Sequence, residues 1–274
     1  RQLSMNLAGQ TAWITGASSG IGAALAREFA SRGARVVLSG RSEARLRAVA
    51  DEIATDTLIL PFEVTDEAAM LSATERATAW HGVDIFVANA GISQRSPAIA
   101  TAMEVYRRII DVDLTAQIAA TQALLPHMTA RGSGRLVFIS SIAGKVGVPM
   151  RTAYCAAKFG LIGYVDALRA ELSQSGIAVH VVCPGSVATD VSRNALTGQG
   201  TPRGKSDKAI DNGIAPADAA RVIADGMAAG TREIIVARGM EQAMGEMRRT
   251  PDALLDQVAG MVAAGYMEKM QAEV

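Results

Sequence analysis

The tightest constraint on this chain's fold lies between Thr11 and Ala30. Thr11-Ala12-Trp13-Ile14-Thr15 reads as a buried strand. It runs straight into Gly16-Ala17-Ser18-Ser19-Gly20-Ile21-Gly22 and then into a helix-forming run, Ala23 to Ala30. Glycines at such a turn let the backbone approach a ligand closely, and the N-terminus of the following helix favours negative charge. Strand, glycine turn and helix together suit a pyrophosphate, as in the first unit of a dinucleotide-binding sheet. The spacing is G-x-x-x-G-x-G rather than the commoner G-x-G-x-x-G.

The rest of the chain repeats the alternation. Further strands are expected at Ala34 to Ser39, Thr57 to Pro61, Val83 to Val87, Leu136 to Ile139, Ile177 to Val182 and Glu233 to Ala237. Helices are expected between them: Ser42 to Ala54 with Ser42 as N-cap, a run ending near Trp80, one long stretch from Thr101 to Ala130, the segment carrying Tyr154, and Ala215 to Ala229. Apolar runs alternating with helices predict an α/β fold: a doubly wound, seven-stranded parallel sheet with helices on both faces, in one domain. That domain is expected over 7–237, followed by a helical extension over 238–274. In the extension, Leu254, Leu255, Val258, Met261 and Val262 form an apolar face for packing on the body or on a second subunit.

Composition narrows the function. Lys+Arg and Asp+Glu are equal at 27 each, so there is no electrostatic case for nucleic-acid binding. No apolar run approaches the roughly 18 residues of a membrane span. No apolar core of a signal peptide opens the chain, and Arg1 to Ser4, ahead of Met5, read as residues outside the native sequence. Cys155 and Cys183 build no disulfide framework or zinc spacing, which predicts reduced thiols and a cytoplasmic location. His81, His127 and His180 show no metal-ligand spacing, so no metal is expected.

The chemistry concentrates in Arg135 to Tyr164, RLVFISSIAGKVGVPMRTAYCAAKFGLIGY. The strand Leu136 to Ile139 ends in Ser140 and Ser141, and a helix then carries Tyr154 and Lys158 one turn apart on one face. A free phenol titrates near 10, too high for proton transfer near neutrality. A cation one turn away favours the phenolate. Ser141 is then placed to hold a substrate oxygen while Tyr154 exchanges a proton with it. One competitor shares the first glycine turn: Gly16 to Gly20 also fits G-x-S-x-G, the hydrolase nucleophile elbow. A hydrolase needs a histidine at the same edge of the sheet. His180 falls inside a strand, His127 inside a helix, and His81 at the wrong edge.

These pieces resemble the short-chain dehydrogenase/reductase family from about Leu7 to Ala237. Thr15 to Gly22 is similar to its cofactor glycine motif. Ala88-Asn89-Ala90-Gly91 is similar to its Asn-Asn-Ala-Gly motif with the first Asn replaced. Ser141, Tyr154 and Lys158 match its catalytic Ser and Tyr-x-x-x-Lys, with Tyr154 13 positions after Ser141. Pro184-Gly185, Val187 and Thr189 match the segment that meets the nicotinamide. The resemblance implies a Rossmann fold, hydride transfer between a nicotinamide and a ketone or secondary alcohol, and assembly as a homodimer or homotetramer. It implies that Gly16, Ser18, Ser19, Gly20, Ile21, Gly22, Val64, Asn89, Ala90 and Gly91 border the cofactor, with Tyr154 and Lys158 at its nicotinamide ribose.

Two positions bear on which cofactor. After the second strand, Gly40 stands where an acidic residue would hold a ribose 2′-hydroxyl, and Arg41 can pair with a 2′-phosphate. This predicts NADP(H) over NAD(H). Glu63 stands where the family often carries an Asp against adenine. A further departure is Asp113, where the family usually has an Asn that holds a water line from the active-site lysine. An ionised Asp113 would add negative charge beside Lys158 and alter the pH dependence of proton relay. The alternatives are a nucleotide-binding protein without turnover and a non-redox dehydratase or epimerase. Val187 to Asn212 is polar and contains Gly198, Gly200 and Gly204, so a lid that is mobile or lifted away without ligands, and that closes when cofactor and substrate are both present, is expected.

Overall fold

The structure, a computed structural model, describes residues 5–272; Arg1 to Ser4, read above as outside the native sequence, lie outside them. Seven parallel strands, β1 (Thr11–Ile14), β2 (Arg35–Leu38), β3 (Thr57–Ile59), β4 (Ile85–Ala88), β5 (Gly134–Ile139), β6 (Ile177–Pro184) and β7 (Glu233–Val236), form one sheet in the order β3-β2-β1-β4-β5-β6-β7. β1 pairs with β2 on one side and β4 on the other, so the strand order reverses between β1 and β4. In open α/β sheets a crevice forms outside the carboxyl ends of the strands at such a reversal.

The strands are buried on both faces because successive side chains point to opposite sides. Ala12, Ile14, Val36, Leu38, Ile85, Val87, Val137 and Ile139 enter one core with α1 (Gly20–Ser31), α2 (Glu43–Ala50) and α8 (Pro216–Ala228). Trp13, Val37, Phe86, Leu136, Phe138, Val179 and Val181 enter the other, with α3 (Glu67–His81), α5 (Ala116–Arg131) and α6 (Thr152–Glu171). Trp13, fully buried, stacks at a tilt on Phe86 with centroids 5.0 Å apart, and its Nε1 donates to Ser39 Oγ at 2.8 Å. Burying a side chain of this size stabilises the fold by about 2–3 kcal/mol, so the alternation itself holds β1 in register.

Two expectations need correction. The helix after β2 stops at Ala50, although Ser42 is its N-cap and accepts from Arg45 N at 3.3 Å. The stretch from Thr101 to Ala130 is not one helix. It divides into α4 (Met103–Ile110), a π-helical turn (Asp111–Thr115) and α5. A π turn inserts one extra residue per turn and re-aims the side chains it carries. Here it turns Asp113 inward, where its Oδ1 accepts from Ile92 N at 2.8 Å.

The extension follows β7. It forms α9 (Gly239–Met247), α10 (Asp252–Ala263) and α11 (Tyr266–Ala272). α10 lies on α6, but of its apolar face Leu255 alone is buried, with Leu254 50% and Met261 46% exposed. No helix among the described residues is long and apolar enough to cross a membrane.

Candidate active site

Because all seven strands are parallel, their carboxyl ends share one edge, and the motif residues gather there. At β1, Gly16 and Gly20 have φ of 63° and 55°, a region that L side chains rarely adopt. Added Cβ atoms show how close the packing is. One on Gly16 would sit 2.8 Å from Asn89 Nδ2; one on Gly22 would collide with the Gly16 carbonyl and lie 2.6 Å from Asn89 Nδ2. Asn89 earns that position by bonding across the crevice: its Nδ2 donates to Thr15 O at 3.0 Å and Gly16 O at 3.2 Å. Thr15 Oγ1 accepts from Asn89 N and Ala90 N at 3.0 and 3.2 Å. The loop after β4 thus braces the glycine turn after β1.

Ser19 precedes α1 in extended conformation and makes no side-chain cap, and the first turn of α1 carries no acidic residue. The free N–H groups and positive dipole end of α1 therefore face the crevice uncompensated. A bare cradle at the switch point fits the diphosphate of a dinucleotide. Thr189, beyond β6, closes over it, with its Cγ2 3.2 Å from a Cβ placed on Gly20. At β2, Gly40 is buried, and a Cβ there would lie 3.3 Å from Leu46 Cδ2 and 3.5 Å from Ser18 Oγ. Arg41 and Glu63 form a loose pair at 3.9 Å on the exposed rim, and Val64 is half-buried behind them.

At β5, Ser141 caps a short 3₁₀ turn: its Oγ accepts from Ala143 N at 3.0 Å and donates to Pro184 O at 3.4 Å. Tyr154 and Lys158 sit one turn apart on α6. Lys158 is buried, its Nζ donates to Ile139 O at 2.9 Å, and it lies 5.6 Å from the centroid of the Tyr154 ring. Asp113 lies beneath them, fully buried, with Oδ2 3.9 Å from Lys158 Nζ. Ser141, Tyr154, Lys158 and Asp113 thus converge at one end of the crevice, with Gly16 to Gly22 at the other. None of the histidines reaches this edge. His180 lies within β6 with its ring against Thr231 O at 2.7 Å, and burial pushes its pKa down to about 4. His127 accepts from Val83 N at 3.1 Å and His81 ends α3, so the nucleophile-elbow reading has no base.

A family model described as short chain dehydrogenase matches residues 10–200, 191 of the 274 residues. The chain belongs to the short-chain dehydrogenase/reductase family. It is 36% identical over 242 residues to dehydrogenase/reductase SDR family member 7B of Danio rerio, covering 85% of this chain and 78% of that protein. It is 39% identical over 241 residues to an SDR family protein 7-like of Anopheles gambiae, covering 85% and 76%. Among solved structures, a dehydrogenase/reductase from Sinorhizobium meliloti superposes with a TM-score of 0.74 at 28% identity, covering 86% of this chain and 96% of that one. A family member from Burkholderia phymatum solved in complex with NAD superposes at 0.79 with 20% identity, covering 90% and 98%, and shares the fold. The chain is accordingly an oxidoreductase, and the chemistry of its family is NAD(P)-dependent hydride transfer.

Several residues of this dehydrogenase/reductase site carry no local motif. Gln117, two positions past the π segment, donates to Ala90 O and Val112 O and so ties the Ala90 loop to Asp113's turn. Gln94, fully buried, accepts from Ala153 N at 2.9 Å and caps the start of the Tyr154 helix. Glu241, from the extension, takes both Ser186 N and Ser186 Oγ at 2.8 Å and holds the turn after Pro184-Gly185. Lys145 and Glu233 form a buried ion pair that joins the loop after Ser141 to β7. Apart from Val112, each partner is tens of residues away, so no spacing rule could have found them.

The lid is the main departure from expectation. The segment from Val187 to Asn212, which ends in a short helix (α7, Lys208–Asp211), is packed onto the body rather than lifted away. Leu196 exchanges backbone bonds with Ser93 O at 2.8 Å and Arg95 N at 2.9 Å. Ser192 accepts from Asp207 N at 3.0 Å, and Ser192, Ala195 and Leu196 are buried. Composition missed this because few apolar residues are needed when backbone pairing and charge supply the anchors.

A half-open cavity of about 830 Å³ lies at the opposite edge, between α10 and the starts of β5, β6 and β7. Its Arg169 is already bonded to Val179 O and Asp166. Among the described residues no group of three or more His, Cys, Asp or Glu could hold a metal.

Asp113 yields a pH prediction. Burial pushes its carboxyl up from 3.8 to about 6, against the pull of Lys158 and the bond from Ile92. Between those values the folded protein keeps a proton that the unfolded chain has lost. Stability therefore falls as pH rises from about 4 to about 6 and stays reduced above. Asp113→Asn, which mimics the neutral form, should match wild type near pH 4 and exceed it by up to about 3 kcal/mol at about pH 7.5. Urea unfolding at both pH values checks this; an offset that does not change with pH would mean that folding leaves the carboxyl's pKa where it is in the unfolded chain.

Proposed function

We propose that the chain is an NADP(H)-preferring oxidoreductase that interconverts a ketone and a secondary alcohol, with Tyr154 as the acid/base. The observation that carries this reading is the tethering of Lys158 by Ile139 O at 2.9 Å, beneath the Tyr154 ring and at the end of the strand that leads to Ser141. When bound, the nicotinamide dinucleotide supplies or accepts the hydride. Ser141 Oγ, oriented by Ala143 N, holds the substrate oxygen. The Tyr154 hydroxyl gives that oxygen a proton in reduction and takes it in oxidation. Lys158 favours the phenolate and can meet the ribose. Asp113 sits behind Lys158, so its protonation sets the field there.

The preference for NADP(H) rests on the β2 rim. Gly40 offers no carboxylate to a ribose 2′-hydroxyl, and the tight contact of a Cβ with Leu46 leaves little room for one. Arg41 is held only by a loose, exposed pair with Glu63 at 3.9 Å. Such a pair is worth at most about 1 kcal/mol, so a 2′-phosphate can displace it. NADPH and NADH should be compared across a panel of ketones. NADPH is expected to give a kcat/KM at least about tenfold higher, and Arg41→Ala should remove most of that advantage by weakening NADPH and barely touching NADH. Equal use of the two cofactors by the wild type would refute this reading of the rim.

A further inference from the structure

Three guanidinium groups converge on one carboxylate beside the proposed catalytic residues. Arg95 Nε donates to Asp207 Oδ2 at 2.7 Å, Arg203 pairs with Asp207 Oδ1, and Arg151 Nη2 lies 3.7 Å from Asp207 Oδ2. The four residues come from three segments. Arg95 follows the Asn89 loop, Arg151 stands one turn ahead of Tyr154, and Arg203 and Asp207 belong to the lid. These are the segments that leave the carboxyl ends of β4, β5 and β6, and Arg151 stands three positions before Tyr154.

The charges do not balance. One carboxylate faces three cations, which leaves an excess of two positive charges in a partly enclosed wall. The side chains are 9% exposed for Arg95, 20% for Arg203 and 26% for Arg151. Burying like charges together is costly unless an anion joins them.

The three arginines are not equivalent. Arg95 anchors the lid from outside and also donates to Ser93 Oγ at 2.9 Å and Gln94 O at 2.7 Å, while Arg203 braces Asp207 from within the lid. Arg151 makes only its 3.7 Å pair with Asp207. Among the described residues no hydrogen bond runs from its guanidinium, it makes no cap for α6, and Gln94 does that work instead. A cation at a helix start also opposes the helix dipole. Its position contributes nothing evident to the fold, yet its donors remain free within one turn of the acid/base.

We propose that the substrate carries a carboxylate or phosphate a few bonds from its carbonyl or carbinol carbon, and that Arg151, backed by Arg95 and Arg203, binds that group. This rests on the hydride-transfer reading above and adds the substrate class. Asp207 stands in for the anion in the free protein, and the substrate's anion brings the second negative charge the cluster lacks. Arginine's planar fork suits either group through paired, charge-assisted bonds.

The test uses matched ketones with NADPH: levulinate against methyl levulinate, and hydroxyacetone phosphate against hydroxyacetone. At least one charged member is expected to have a kcat/KM about 10- to 100-fold above its neutral partner, the effect of one or two charge-assisted bonds. The better pair shows whether carboxylate or phosphate is taken. Arg151→Met should bring that ratio to near one, and Arg151→Lys should restore part of it. Trypsin cleavage at Lys205 should be unchanged in both variants, because Arg151 does not hold the lid. Neutral ketones used as well as charged ones, or a charge preference that survives Arg151→Met, would overturn the proposal and leave the cluster as a lid clamp only. If no ketone is turned over, the hydride-transfer reading fails on its own account. Calorimetric titration of levulinate and hydroxyacetone phosphate, with and without NADP⁺, then decides the anion site. Binding weakened at least about tenfold by Arg151→Met supports it, and no binding of either ligand to wild type overturns it.

Discussion

Tyr154→Phe is expected to lower turnover by at least about 10²-fold, the usual contribution of a positioned acid/base, while NADPH binding changes by less than about twofold. The substitution removes one oxygen and little else. Among the described residues no side chain depends on the Tyr154 hydroxyl for a hydrogen bond, so the fold loses no partner. Lys158 is anchored by Ile139 O at 2.9 Å, not by the phenol, and its distance of 5.6 Å to the ring centroid concerns atoms that phenylalanine keeps. Ser141 keeps its bond from Ala143 N at 3.0 Å. The loss should therefore fall on kcat, with KM and the unfolding midpoint nearly unchanged. Steady-state kinetics on any ketone found in the NADPH panel, together with NADPH fluorescence titration, separate these effects. Turnover near the wild-type rate would remove Tyr154 from the chemistry.

Gly22→Ala is expected to weaken NADPH binding by about 10²-fold or more and to lower the unfolding midpoint as well. A methyl group at this position meets the Gly16 carbonyl and lies 2.6 Å from Asn89 Nδ2. Neither neighbour can yield cheaply. Gly16 is held at a φ of 63° in the tight turn, and Asn89 Nδ2 is bonded to Thr15 O and Gly16 O at 3.0 and 3.2 Å. The turn must open, which breaks the Asn89 brace and moves the free N–H groups of α1 away from the diphosphate position. Overpacking of this kind typically costs about 1–3 kcal/mol of stability. Displacing the cradle removes most of the anion's hydrogen bonds, each worth about 1.5–3 kcal/mol when charged. A dissociation constant within about threefold of wild type would mean the dinucleotide does not approach the backbone at Gly22.

Much of this was legible in the linear chain. The strands Thr11–Ile14 and Ile85–Ala88 announce themselves through short apolar runs, and the glycine turn through residues that tolerate a left-handed backbone and close approach. Tyr154 and Lys158 are visible because four residues make one helical turn. All of these signals act over a few neighbouring positions, where spacing and side-chain chemistry are enough. The sequence by itself therefore determined the α/β architecture, the strand that leads to Ser141 and the face shared by Tyr154 and Lys158.

The remaining features depend on distance in space rather than in sequence, and only the tertiary structure decided them. The π turn at Asp111–Thr115 looks helical in any pattern, yet it takes Asp113 fully inside, where loss of water raises its pKa to about 6. Gln94 caps a helix that begins 58 positions later at Thr152, and Glu241 reaches back 55 positions to Ser186. The lid is polar by composition but held, because Asp207 meets Arg95, 112 positions earlier on the loop after β4, as well as Arg203 of its own segment. Local preference cannot encode such meetings. They arise when the sheet brings the loops after β4, β5 and β6 to one edge, where each burial and each charge pair takes its value from neighbours the chain has folded to reach.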